Sequence, residues 1–248
     1  MKDYIIKHEW KIVEDHYIPE YNQITESLMS LGNGKMGQRA NFEETYTGES
    51  LQGSYIAGVY YPDKTRVGWW KNGYPEYFAK VLNAPSWIGI NVAVNEEALD
   101  LNTAREVKNF RRELNMKEGW LSRSFEAVLQ NGIEVLVKSV RFLSLDLDEV
   151  GVINYSVTPI NSDATIAFTP YLDGGITNED TNWDDKFWDV YNVDQSNGQS
   201  FIQAKTMKTA FHTCTFMESK LFLGGQELAL EASQQKTENY ASSTYQSS

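Results

Sequence analysis

Hydrophobic and polar residues alternate with a period of two along most of the chain, and turn-forming residues separate the alternating runs. That is the signature of antiparallel strands with one face in a core and the other in water. In residues 87–94, Ile88, Ile90, Val92 and Val94 share a face. Leu121, Phe125, Ala127 and Leu129 share one in the next clear run, and Ile133, Val135 and Val137 resume the alternation after Gln130-Asn131-Gly132. Asn-Gly accepts the positive φ of a type I′ turn, so these two runs should form a hairpin. Residues 150–158 and 165–171 should form another across Asn161-Ser162-Asp163, and residues 201–207, 210–217 and 220–223 continue the series.

Helical signal is weak. In residues 102–114 charged side chains crowd around Val107 and Phe110, and the thin apolar face fits a helix or an extended segment equally. Many short strands with few or no helices define an all-β domain, a sandwich or a barrel, whose length calls for long strands and elaborated loops. Two segments interrupt the strand rhythm: residues 60–85, with Pro62, Gly68, Gly73, Pro75 and Pro85, and residues 173–197, with Gly174-Gly175 and an aromatic stretch at 182–188. Irregular loops of this length ordinarily dock on something. Residues 227–248 turn polar, and the part after about Gln234 is expected to be mobile or loosely packed, since it offers few apolar groups to bury.

Composition narrows the function. A chain of 248 residues should bury roughly 70–75% of its unfolded surface and needs no covalent staples. Its one cysteine, Cys214, excludes an internal disulfide framework, and no apolar run reaches the ~20 residues of a membrane helix. The first residues lack the apolar core of a signal peptide, so a cytoplasmic protein is expected, with no membrane partner. A formal net charge of −12 repels phosphate backbones, so no nucleic-acid partner is expected. Seven Trp and fourteen Tyr suit carbohydrate stacking, but an aromatic β-core and domain interface use such rings more often.

No phosphate-binding glycine loop, zinc spacing or nucleophile elbow is present, and no cofactor or metal is expected. The glycines of residues 31–39 fit a tight hairpin. His8, His16 and His212 lie far apart; His212 and Cys214 share a strand face, where a packed pair is more economical than a nucleophile. The acidic pairs Glu43-Glu44, Glu96-Glu97 and Asp184-Asp185 invite a glycosidase reading, yet adjacent strand residues point to opposite faces, so solvated surface is their expected fate. The candidate site is the loop carrying Arg66, Trp69, Trp70, Lys71, Asn72, Tyr74 and Tyr77, able to stack on a sugar or to form the aromatic centre of an interface, the second being favoured. These residues should lie at one edge of the domain, partly exposed.

Residues 26–44, running from Glu26-Ser-Leu-Met through Leu31-Gly-Asn-Gly-Lys-Met-Gly-Gln-Arg39 to Phe42-Glu-Glu44, resemble the amino-terminal signature of glycoside hydrolase family 65. So do residues 51–60, and residues 61–80 are similar to its maltose phosphorylase branch. The resemblance implies a single N-terminal domain over residues 1–248, a large antiparallel super-β-sandwich of the galactose mutarotase-like kind, excised from a longer chain. What would follow is a helical linker, an (α/α)6 catalytic barrel and a small C-terminal sheet. The implied reaction is inverting phosphorolysis of a disaccharide, with inorganic phosphate as co-substrate and a glutamic acid of the barrel as proton donor. No residue here matches that acid, so no catalytic residue is expected in this chain. Its implied part is to support the barrel and a homodimer. The alternatives are a free-standing carbohydrate-binding sandwich, and a family member acting on trehalose or kojibiose.

Overall fold

The computed structural model describes residues 4–65, 75–178, 186–196, 198–229 and 231–247. Among them the strands form six antiparallel sheets of two to six strands, accompanied by one short α-helix, Asn22–Leu28. The expected all-β class holds. The ambiguous stretch at 102–114 is extended: Glu106–Asn115 is a strand, because Phe110, Arg112 and Leu114 fall on one face at a spacing of two.

The largest sheet runs in the order Ile5–His8, Lys11–Glu14, Glu106–Asn115, Trp120–Val128, Glu134–Leu143, Gly151–Pro159. A second, of five strands, runs Ser233–Lys236, Tyr240–Ser247, Ile166–Asp173, Ile90–Val94, Glu97–Ala98. Inward residues of the first (Phe110, Phe125, Ala127, Val135, Val137) meet those of the second (Val92, Val94, Ile166) in one apolar cluster. Full burial of a Val, Ile or Phe side chain is worth about 1.5–3 kcal/mol, and this is the largest apolar cluster among the described residues. A three-stranded sheet, Trp188–Ser196, Gln199–Thr206 and His212–Glu218, packs beside them.

The turns differ from expectation in instructive ways. Trp120–Val128 and Glu134–Leu143 do form a hairpin, but only Gly132 has positive φ, at 86°, so the loop is a three-residue turn with one left-handed glycine and not type I′. Residues 161–163 are not a hairpin. Gly151–Pro159 pairs with Glu134–Leu143, whereas Ile166–Asp173 pairs with Ile90–Val94 and Tyr240–Ser247, so the chain crosses between sheets there. Asn161 anchors the crossing by accepting from the Glu134 amide and donating to the Gly132 carbonyl.

Both segments expected to be irregular contain strands: Tyr60–Lys64 pairs with Tyr77–Val81, and Trp188–Ser196 with Gln199–Thr206. Residues 240–247 of the polar tail are paired and packed, against expectation. Tyr240–Ser247 lies between two strands, with Ala241 and Ser243 at 0% exposure. Its small side chains fit between layers, and pairing on both edges satisfies the backbone that apolar content alone would not hold.

Candidate functional site

The loop singled out from the sequence lies largely outside the described residues, which include none of Arg66, Trp69, Trp70, Lys71, Asn72 and Tyr74. Tyr77 is described: it is 52% exposed on a strand of the ribbon that the loop connects, opposite Lys64. On the same outward face Tyr60 and Val81 are paired and exposed. The ribbon is pinned from beneath by buried Tyr61, whose ring packs at a tilt against Phe187 with centroids 4.4 Å apart, and by an ion pair of 2.6 Å between Lys80 and buried Asp63.

A second constellation was not anticipated. Arg112, Arg123 and Arg141 stand on three adjacent strands of the large sheet, and all three point inward and are buried. Arg112 and Arg123 are direct cross-strand partners, an arrangement that repels unless anions intervene. The anions come from residues 14–44. Glu14 Oε2 accepts from Arg112 Nε at 2.9 Å and Nη2 at 2.7 Å. Glu43 bridges two cations, accepting from Arg123 Nη2 at 2.7 Å and Arg141 Nη1 at 3.1 Å. Glu44 receives both terminal nitrogens of Arg123 and the Tyr155 hydroxyl, the last at 3.1 Å. Glu26, also buried, instead ties Ser50 and the Leu51 amide to the helix, at 2.6 and 2.9 Å. Phe42 lies between two guanidiniums, its ring centroid 4.3 Å from Arg123 Cζ and 5.1 Å from that of Arg112.

The expectation that Glu43-Glu44 is solvated surface is therefore wrong; both are buried. The rule of opposite faces fails because residues 43 and 44 form a bend, not a strand, so both carboxylates reach Arg123. Glu97 also departs from that expectation: it is half-buried and accepts the Gln130 and Asn131 amides. Asp184-Asp185 lies outside the described residues. His212 and Cys214 do share a face, but both are exposed and do not pack as a pair; His212 meets the Tyr191 hydroxyl at 3.3 Å.

Electrostatics follow from burial. Desolvation works against ionisation of Glu43, yet Arg141 and Arg123 outweigh it and hold the carboxyl below its usual range. Burial prevails at Glu14 and raises it despite Arg112. At Arg141 burial, with two neighbouring guanidiniums, lowers the cation against the pull of Glu43. Arg123 is pushed the other way: burial opposes its charge, but Glu44 and Glu43 more than compensate. Glu43 is thus kept charged between two arginines, which makes it a clamp and a poor proton donor.

Beside this layer lies an open groove of about 1230 Å³ between the large sheet, the five-stranded sheet and residues 216–228. Trp87, Tyr155, Phe168 and Phe216 line it, and Tyr155 links it to the ionic layer through Glu44. Among the described residues no helix is long and apolar enough to cross a membrane.

The sequence profile of the glycosyl hydrolase family 65 N-terminal domain matches residues 12–248, and the chain belongs to that family. It is 44% identical to the maltose phosphorylase of Bacillus subtilis (strain 168) over 96% of this chain and 31% of that protein. The kojibiose phosphorylase and the alpha,alpha-trehalose phosphorylase of Thermoanaerobacter brockii are each 30% identical over 68% of this chain, and over 20% and 22% of their own lengths. A solved structure named "Putative kojibiose phosphorylase from human microbiome" superposes with a TM-score of 0.84 at 25% identity, covering 98% of this chain and 30% of that one. The chain spans less than a third of each of these relatives.

Proposed function

We propose that this chain is the non-catalytic N-terminal domain of a longer, cytoplasmic, inverting phosphorylase that converts maltose and inorganic phosphate to glucose 1-phosphate and glucose. The observation that carries the reading is the 44% identity to a maltose phosphorylase across 96% of the chain. The geometry supports the non-catalytic part: Glu43 and Glu44, the acidic pair of the family-like segment, are buried and spent on arginines. A general acid must instead reach the glycosidic oxygen and give up a proton.

In this reading the sheets described here complete into a super-β-sandwich in the whole protein. A glutamic acid of the following barrel protonates the departing sugar while phosphate attacks the opposite face of the ring. The aromatic ribbon around Tyr77 meets that barrel or the second subunit of a homodimer. Kojibiose and trehalose are the rival substrates, given the relatives that act on them by name.

The test is an assay of phosphate-dependent glucose 1-phosphate release from maltose, kojibiose and trehalose. The full-length protein should turn over maltose fastest, and residues 1–248 alone should release none. Release by the 1–248 chain that survives repurification would overturn the non-catalytic reading; preference for another disaccharide would overturn the substrate.

A further inference from the structure

The outward face of the three-stranded sheet carries side chains that neither the core nor the ionic layer uses. Register places Asn192, Gln203 and Cys214 in one row across it, with Lys205 and His212 in the row before and Phe201 and Phe216 in the row after. The alternate residues Ile202 and Ala204 are buried, so these rows face away from the core. At ~3.4 Å per residue, the rows of His212 and Phe216 lie about 14 Å apart.

A bulge shapes this face. The pairing of Trp188–Ser196 with Gln199–Thr206 shifts between Val190 and Asn192, so Tyr191 is an extra residue and both it and Asn192 are exposed. Bulges re-aim side chains in this way. Tyr191 reaches over the middle strand, where its hydroxyl meets His212 Nδ1 at 3.3 Å with the ring centroids 5.7 Å apart. The ring is thus held from the far strand, yet it stays 49% exposed, and Phe216 is 56% exposed. An exposed ring already fixed in place lowers the ordering cost of binding.

Between the two rings the chemistry is neutral and hydrogen-bonding. Asn192 Nδ2 donates to Gln203 Oε1 at 2.8 Å, which leaves the Asn192 carbonyl oxygen and the Gln203 amide nitrogen without a partner among the described residues. Charges are answered within the protein: Lys205 meets Asp189 at 3.2 Å, Lys236 meets Asp194 at 3.2 Å, and Glu218 stands beyond Phe216. An ionic ligand would gain little here. A protein partner calls for a contiguous apolar patch, which the amide row interrupts. A pyranose offers a face of C–H groups, attracted to the negative face of an aromatic ring, and an edge of hydroxyls that donate and accept as the two amides do.

We propose that this face binds a neutral linear oligosaccharide, with one sugar stacked on Tyr191, another on Phe216, and the hydroxyls between them on Asn192 and Gln203. This binding is independent of which disaccharide the longer protein phosphorolyses. The bound chain crosses Cys214, directly opposite Gln203, so that exposed thiol reports on it.

Alkylation of Cys214 by iodoacetamide in the full-length protein, read by peptide mass spectrometry with and without maltoheptaose or cellotetraose at about 20 mM, tests this; millimolar affinity gives near-saturation there. At least one of the two sugars should slow alkylation about 5-fold or more, saturably. Failure of both overturns the proposal. Equal slowing by the same mass of polyethylene glycol also overturns it, because crowding then accounts for the effect. So does a thiol that is at least about 100-fold less reactive than in the urea-unfolded protein before sugar is added, because another part of the protein then covers the face.

Tyr191→Ala and Gln203→Ala should each raise the half-protecting sugar concentration by about 3-fold or more. An unchanged value in either folded variant overturns the proposal. If one variant fails to fold, the other and the wild-type protection decide.

Discussion

The inner face of the large sheet and its outer edge spend polar groups in opposite ways. Inside, three arginines occupy positions where an apolar residue would pack, and nearly every charge is answered by a carboxylate, carbonyl or amide within hydrogen-bond distance. At the edge, Gly151–Pro159 is uncharged, pairs on one side with Glu134–Leu143, and lines an open groove with Ile153, Tyr155 and Val157. The first region is closed and intolerant; the second is open. A buried ion pair contributes little net stability against a well-packed apolar substitute, but breaking one is expensive because the remaining charge has no water. What the ionic layer supplies is register. It sits between two apolar clusters, with Phe110, Phe125 and Val137 on one side and Leu114, Leu121 and Leu143 on the other, and it fastens residues 39–44 across all three strands.

The largest expected effect breaks the closed region. Arg123→Leu leaves Glu43 and Glu44 buried with one guanidinium between them, and should cost about 3–5 kcal/mol, read as a lower midpoint in urea unfolding. A loss below about 1 kcal/mol would mean that the layer admits water and resembles the edge after all.

The layer can next be divided by pH. Glu43 titrates below the usual carboxylate value of 4.5 when folded, so its contribution is present above that value and is lost as pH falls through the folded value. Glu14 is raised above 4.5, so its ionised form costs stability at neutral pH and that cost vanishes on acidification. Glu43→Gln should therefore flatten the fall of stability between about pH 5 and 3, and Glu14→Gln should steepen it. Identical acid limbs in the two variants would show that the layer titrates as one unit.

The smallest effect belongs to the open region. Val152→Lys, on the solvent face of the edge strand, should change stability by no more than about 0.5 kcal/mol, and a larger loss would show that this face is covered.

Much of this contrast was written in the alternation of residues. The strands around Ile90, Phe125, Val137 and Ile202 follow from period-two patterning, because that is what a half-buried strand requires. The ionic layer left a signal too: Arg112 stands two residues from Phe110 and Leu114, and Arg123 two from Leu121 and Phe125, an inward position in each run. Such an arginine must find an anion, and the pair Glu43-Glu44 was available. Its burial was hidden because a bend, set by contacts with distant strands, aims both carboxylates the same way. Residues 161–163 carry ordinary hairpin chemistry, and only sheet packing decides that the flanking strands part. The tail was illegible for a different reason: Ser242, Ser243 and Ala241 are buried through backbone pairing, which composition does not report.

The central claim is that the conspicuous acidic pair of this domain holds the fold and transfers no proton. Kinetics of maltose phosphorolysis by full-length Glu44→Gln, taken alongside its melting temperature, test it most directly. The account predicts that the folded enzyme keeps kcat within about two-fold while Tm falls by several degrees, on the order expected for 1–3 kcal/mol. A kcat reduced by about 10²- to 10⁴-fold with Tm unchanged would make Glu44 a general acid and contradict the account.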